Sequence, residues 1–167
     1  ENVKKAIAIS PTFIRAHFEL AQVYLNKKDY PRAIEIFKQA VALNPDVPIA
    51  WWYLGLAQLE YGNENAGLQS VQESVARGLD IAQNDADALR IASIYARRSE
   101  WQEVSRFYEE LVRVHGANPK YHAELATAYA RSGKIDEAVR EAKRAAEIDR
   151  SFEAAARIFV RNLGREW

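Results

Sequence analysis

Cysteine and methionine are both missing from this chain of 167 residues. Without a thiol there is no disulfide, no thiolate nucleophile and no Cys-ligated zinc, and the redox compartment stays open. The lack of methionine extends to position 1, which predicts a segment of a longer protein. Net charge is missing as well, with 23 basic residues against 23 acidic ones. Residues 1–84 hold eight basic and nine acidic side chains, and residues 85–167 hold fifteen and fourteen. Neither half has the basic excess that nucleic acid or an anionic membrane demands. No apolar run approaches the roughly 20 residues that span a bilayer, and no signal peptide is visible. Also missing are a His-x-x-x-His pair and a glycine-rich phosphate loop. Carboxylates such as Glu109 and Glu110, or Glu35 near Lys38, sit at the spacings of solvated helix faces. The expectation is a chain with no catalytic residue, no metal and no cofactor.

What is present is a period. The pairs Ala6 and Ala40, Pro11 and Pro45, and Tyr95 and Tyr129 are each 34 residues apart, and Ala40 recurs as Ser74. Leu20-Ala21-x-x-Tyr24, Ile91-Ala92-x-x-Tyr95 and Leu125-Ala126-x-x-Tyr129 repeat one pattern. A fixed period of this length marks a stack of helical hairpins rather than a globule around one centre. At 49% hydrophobic and 28% charged residues the composition is that of a folded chain.

In residues 14–47, Leu20, Ala21, Tyr24, Ala33, Phe37, Ala40 and Pro45 fall at the spacings of the tetratricopeptide pattern, with His17 at its usual aromatic position. Trp51, Leu54 and Gly55 repeat its opening as Trp-x-x-Leu-Gly. The chain therefore resembles the tetratricopeptide-repeat family over nearly its whole length. Small residues such as Ala21 and Ala33 let two helices cross closely, while Tyr24 and Phe37 fill the space around them. The resemblance implies an all-α fold, a right-handed superhelical solenoid of antiparallel helix pairs with about ten helices. Residues 1–11 read as the second helix of a preceding repeat. Repeats follow at 14–47, 48–84, 85–118 and 119–151, and a capping helix at 152–164, stopped by Gly164. The second repeat is about three residues longer because Gly78-Leu79-Asp80-Ile81 replaces the proline turn, and Gly67 stands where Ala33 stood. In the third, Val104 and Leu111 replace small residues, which predicts looser or shifted packing, with Tyr108 in the core. His17 and His122 share the position of Trp51 and are expected to be structural; His115 is expected to meet the last carbonyls of its helix.

In this family the first helix of each pair lines a concave groove. The corresponding positions here include Phe18, Gln22 and Leu25, then Trp52, Tyr53 and Leu56, then Arg90, Arg97 and Arg131. Trp51 is assigned to the core, and Trp52, about 100° further round the helix, to the groove. An apolar patch with a polar rim marks a partner site. The implied function is a protein-interaction module gripping a protein or peptide segment, with the arginines meeting its acidic residues. The chaperone-tail clamp of the family is not expected: its places hold Phe18, Gln22, Tyr53, Ala86 and Arg90, of which only Arg90 fits. Arg97, Arg98 and Trp101, or Arg106 with Phe107 and Tyr108, look superficially like nucleic-acid contacts, but Glu100, Glu103, Glu109 and Glu110 neutralise them.

Two other readings stay open. The closing run from Asp149 to Arg165 is similar to C-terminal tails of tetratricopeptide arms on bacterial membrane proteins of surface-polysaccharide assembly. The chain would then be a spacer arm outside the cytoplasm, whereas a cytoplasmic place is the default. Alternatively, the half-repeat at residues 1–11 stacks on another copy and the chain self-associates.

Overall fold

The computed structural model describes residues 14–167 of the chain. The sequence reading of residues 1–11 lies outside the described residues. Among the described residues nine α-helices follow one another and there is no strand. Two compact units divide the chain, Glu1–Leu79 and Asp80–Trp167.

The first unit holds α1 (Ile14–Asn26), α2 (Tyr30–Leu43), α3 (Pro48–Glu60) and α4 (Glu64–Ala76). The second holds α5 (Asp85–Arg97), α6 (Trp101–Val114), α7 (Pro119–Arg131), α8 (Ile135–Ile148) and α9 (Glu153–Asn162). Short 3-10 turns at Ile81–Gln83 and Arg150–Phe152 precede α5 and α9. Helix starts follow from local chemistry. Pro31, Pro48 and Pro119 occupy first-turn positions, where the missing N–H is no loss. The side chains of Asp29, Asn84 and Asn118 accept from backbone N–H groups of the helices they precede.

One turn is used four times. Lys28, Gly62, Ser99 and Gly133 lie between the helices of successive pairs, all in the left-handed region with φ of 58°, 90°, 60° and 83°. After each, the next residue's N–H reaches back five residues, from Asp29 to Tyr24, Asn63 to Gln58, Glu100 to Tyr95 and Lys134 to Tyr129, at 2.8–3.0 Å. Such doubled-back bonds absorb the orphan carbonyls at a helix end and reverse the chain. Glycine takes this conformation without strain; Lys28 and Ser99 do not.

Close crossing shapes the α3–α4 pair. A Cβ on Gly55 would meet Val71 Cγ2 at 2.8 Å and the Gly67 carbonyl at 2.9 Å, and one on Gly67 would meet Leu59 Cγ at 2.6 Å. Gly67 is thus no weakened copy of Ala33; it allows a tighter approach than alanine permits. A buried Ser70 hydroxyl donating to Gln58 (2.7 Å) and Ser74 donating to the Pro48 carbonyl (2.8 Å) tie the same region together.

Packing around α6 is shifted rather than loosened. Phe107 is 1% exposed and contacts Tyr95, while Tyr108, expected in the core, is only half-buried. With Val104 and Leu111 already large and buried, the helix turns the smaller Ser105 and the ring of Phe107 inward. Further on, α9 lays Ala156 and Val160 against Ala126, Ala142 and Ala146 of the preceding pair.

Candidate protein-binding surfaces

The nine groove positions fall in both units. In the first, Phe18, Gln22 and Leu25 share one face of α1, and Tyr53 comes from α3. Phe18 meets Tyr53 edge-on at 5.1 Å and Phe37 at 5.6 Å, and Phe37 stacks on Tyr53 at 5.9 Å with a 10° angle. Phe37 is wholly buried, whereas Phe18, Leu25 and Tyr53 are half-buried against its cluster. These rings have one side in the core and part of the other in solvent.

Trp52 does not behave as its helical angle implies. It is 4% exposed, and Leu56, one turn on, is 6% exposed. Trp51, assigned to the core, is the half-buried one. The reason lies in α3 itself: the stretch from Pro48 to Leu59 is apolar around most of its circumference, and buried residues occur on more than one face. A helix covered on several sides offers little open surface, whatever its register. Trp51 is held from outside instead. Its Nε1–H donates to the Pro45 carbonyl at 2.8 Å, the Arg77 Nε–H donates to the same carbonyl at 2.6 Å, and the Arg77 guanidinium lies 4.8 Å over the indole.

In the second unit, Arg90 is half-buried and Arg97 exposed on α5, and Arg131 is exposed on α7 with its guanidinium 5.6 Å over the ring of Trp101. Arg98 pairs with Glu100, and Arg106 with Glu103 at 3.7 Å, so the basic side chains near Trp101 are partly neutralised.

His122 is 5% exposed; its Nδ1 lies 2.6 Å from Glu141 and its Nε2 3.0 Å from the Gly116 carbonyl. Both nitrogens are used in fixing α7 to α8 and to the turn before it. His115 caps α6, yet its ring turns to Asp85 (Nε2 to Oδ1, 3.1 Å) rather than to the helix carbonyls. The Tyr121 hydroxyl donates to the other oxygen of Asp85 at 3.0 Å. Tyr129 donates to Glu109 at 2.9 Å. Burial and the adjoining carboxylate push the phenols of Tyr129 and Tyr121 up, and burial, aided by the charge of Glu124, pushes Tyr108 to about 12. Among the described residues no cluster of three His, Asp or Glu side chains could hold a metal ion.

One feature escaped the sequence reading. A cavity of about 220 Å³ opens between α7, α8 and α9, walled by Ala123, Thr127, Ala142, Phe152 and Phe159 among others. Its signal was present in the repeat: Ala142 is the eighth residue of α8, as Phe37 is of α2.

Solved structures resemble this arrangement. YrrB, described as a TPR protein with an unusual peptide-binding site, matches 98% of this chain and 82% of its own at a TM-score of 0.70 and 14% identity. MamA matches 89% of this chain and 85% of its own at 0.65 and 22% identity. MamA from Desulfovibrio magneticus RS-1 matches 90% and 82% at 0.58 and 12%. Likeness at such identity speaks for the fold alone. Among curated protein sequences none matches this chain. Two tetratricopeptide-repeat profiles match, one over residues 18–86 and another over 119–152, together more than half of the sequence. With the four repeated left-handed turns and paired helices, the chain belongs to the tetratricopeptide-repeat family.

Proposed function

We propose that this chain is a protein-interaction scaffold that binds a peptide segment of a partner along the first helices of its pairs. The observation behind this reading is the strip of rings and aliphatic side chains on α1 and α3. Phe18, Leu25 and Tyr53 remain half-buried around Phe37, beside the polar Gln22. Partly covered apolar side chains anchored in a rigid core lose little entropy on binding, which is what an interface hot spot requires. Trp52 and Leu56 are buried and stiffen α3 rather than meet the partner. Within the second unit by itself, Arg90, Arg97 and Arg131 are suited to acidic residues of a bound segment. YrrB, with a similar fold, has a peptide-binding site of its own.

Selection of a random displayed-peptide library on the immobilised chain tests the reading. Peptides selected by the first unit are expected to share a large apolar residue, and those selected by the second, acidic residues. Leu25→Gln should weaken the apolar peptides, and the pair Arg97→Glu and Arg131→Glu the acidic ones, tenfold or more while leaving the helical circular-dichroism melt in place. A library that yields no consensus, or peptides indifferent to all three changes, overturns it.

A further inference from the structure

Among the described residues the second helices of the four pairs are in one register. Their eighth residues are Phe37, Val71, Tyr108 and Ala142. Phe37 is wholly buried and fills its own pair. At Ala142 the ring is missing and nothing takes its place: α9 covers Ala142 with Ala156 and Val160, yet the space beside them stays open at about 220 Å³. An apolar cavity of roughly 150 Å³ is enough to hold benzene.

From this we infer that the cavity receives one large apolar side chain, a phenylalanine or leucine, of an acidic peptide segment; the inference rests on the peptide-binding reading above and adds to it a separate apolar contact within the second unit. The lining asks for no hydrogen bond. Its one side-chain hydroxyl, on Thr127, already donates to the Ala123 carbonyl at 3.1 Å. Phe152 and Phe159 stand half-buried in the wall and Ala155 is exposed at the edge, so the opening faces solvent and offers ring edges and faces to an entering ring. Beside the cavity, α7 carries Lys120, Glu124, Thr127 and Arg131 along one stripe, of which Thr127 lines the wall. Lys120 and Arg131 are exposed at its two ends, Arg131 with its guanidinium over the Trp101 ring, and Glu124 is the single acid between them. The stripe that lines the cavity from Phe152, at the end of the 3-10 turn, through Ala155 to Phe159 of α9 carries no charge. At 1.5 Å per residue, Lys120 and Arg131 are separated along α7 by about 16 Å, which an extended peptide covers in about five residues. The recognised segment therefore has an apolar anchor with an acidic residue about two positions to either side.

The probe is a fluorescein-labelled heptapeptide, Glu-Asp-Ala-Phe-Ala-Asp-Glu, compared by fluorescence polarisation with its analogue bearing alanine for phenylalanine. The phenylalanine peptide is expected to bind at least tenfold tighter. Ala142→Phe, which restores the ring within the fold, and Ala155→Phe, which blocks the mouth from an exposed position, should each remove that preference. Should Ala142→Phe fail to fold, Ala155→Phe decides alone. Lys120→Glu should lower affinity for the acidic peptide and leave the preference for phenylalanine intact. Equal binding of the two peptides, or a preference that survives the plugged mouth, overturns the inference. So does concentration-dependent dimerisation abolished by Ala155→Phe, which would make a second copy the occupant. If library-selected peptides bind but ignore both plugs, the cavity falls while the scaffold reading stands; if no peptide is selected, the scaffold reading falls and takes the cavity with it.

Discussion

Truncating Trp52 separates two accounts of α3. By helical angle Trp52 would face open solvent, and Trp52→Ala would change binding alone; with the side chain 4% exposed, it must instead unsettle the fold. Truncation of a buried aromatic costs about 3–5 kcal/mol, from lost transfer energy and the cavity left behind. Natural domains have only about 5–15 kcal/mol in hand, so the variant should sit near the edge of stability. Trp51→Ala removes less. It gives up one hydrogen bond to the Pro45 carbonyl, worth about 1 kcal/mol, and the Arg77 stacking, worth about 0.5–1 kcal/mol at an exposed site, along with part of a half-buried ring. A loss of about 2 kcal/mol is expected. Urea unfolding followed by far-ultraviolet circular dichroism, which does not depend on the removed fluorophores, should rank Trp52→Ala below Trp51→Ala by at least about 1 kcal/mol. If Trp51→Ala is as damaging or worse, or if Trp52→Ala unfolds like the parent, the placement of both indoles is refuted.

Gly55→Ala gains up to about 1 kcal/mol in helix propensity but forces its methyl group within 2.9 Å of the Gly67 carbonyl, an overpacking cost of about 1–3 kcal/mol. Net destabilisation in urea is expected, and a stabilised variant would show that the helices part freely. At the repeated turn, Ser99→Gly relieves a left-handed serine and should stabilise by a few tenths to about 1 kcal/mol, whereas Gly133→Ala, with φ of 83° and no atom near its Cβ, should destabilise by about 1 kcal/mol through backbone strain alone. Equal and opposite thermal shifts are not required, but their signs are. Tyr108 supplies a test by pH. Its folded phenol is raised from 10.0 to about 12, so the folded and unfolded chains hold that proton alike below about pH 10; above it the unfolded chain releases the proton first and stability falls until about pH 12. Tyr108→Phe should flatten that decline in melts taken across the window, and an unchanged slope would count against the burial of the hydroxyl.

Much of the fold was legible because its determinants are local. The Leu-Ala-x-x-Tyr pattern places small residues such as Ala21 at helix crossings, and Gly164 stops the last helix. Less legible were the turns at Lys28 and Ser99, where neighbouring hydrogen bonds impose a conformation that neither residue favours. In α6 the pattern identified Tyr108 as the core ring, yet Phe107 took that role. Two adjacent aromatics compete for one interior place, and the choice depends on what Val104, Ser105 and Leu111 leave open.

The candidate surface shows the same limit more sharply. Position within a repeat assigns a side chain to a helix face, and that was enough to bring Phe18 and Tyr53 together. Whether a face stays open depends on what packs against it, so Trp52 and Leu56, assigned to the groove by the same rule as Phe18, are buried. Absence is harder still to read. A motif is recognised by the large residues that match it, and in the last pair the informative residue is an alanine where a ring belongs. Ala142 passes unnoticed in a helix rich in alanine, because Ala138, Ala142, Ala145 and Ala146 are all small and all buried. Only one of these sits where another pair of the same chain holds Phe37. Comparing repeats for missing volume, rather than for matching identity, would have found the cavity from sequence.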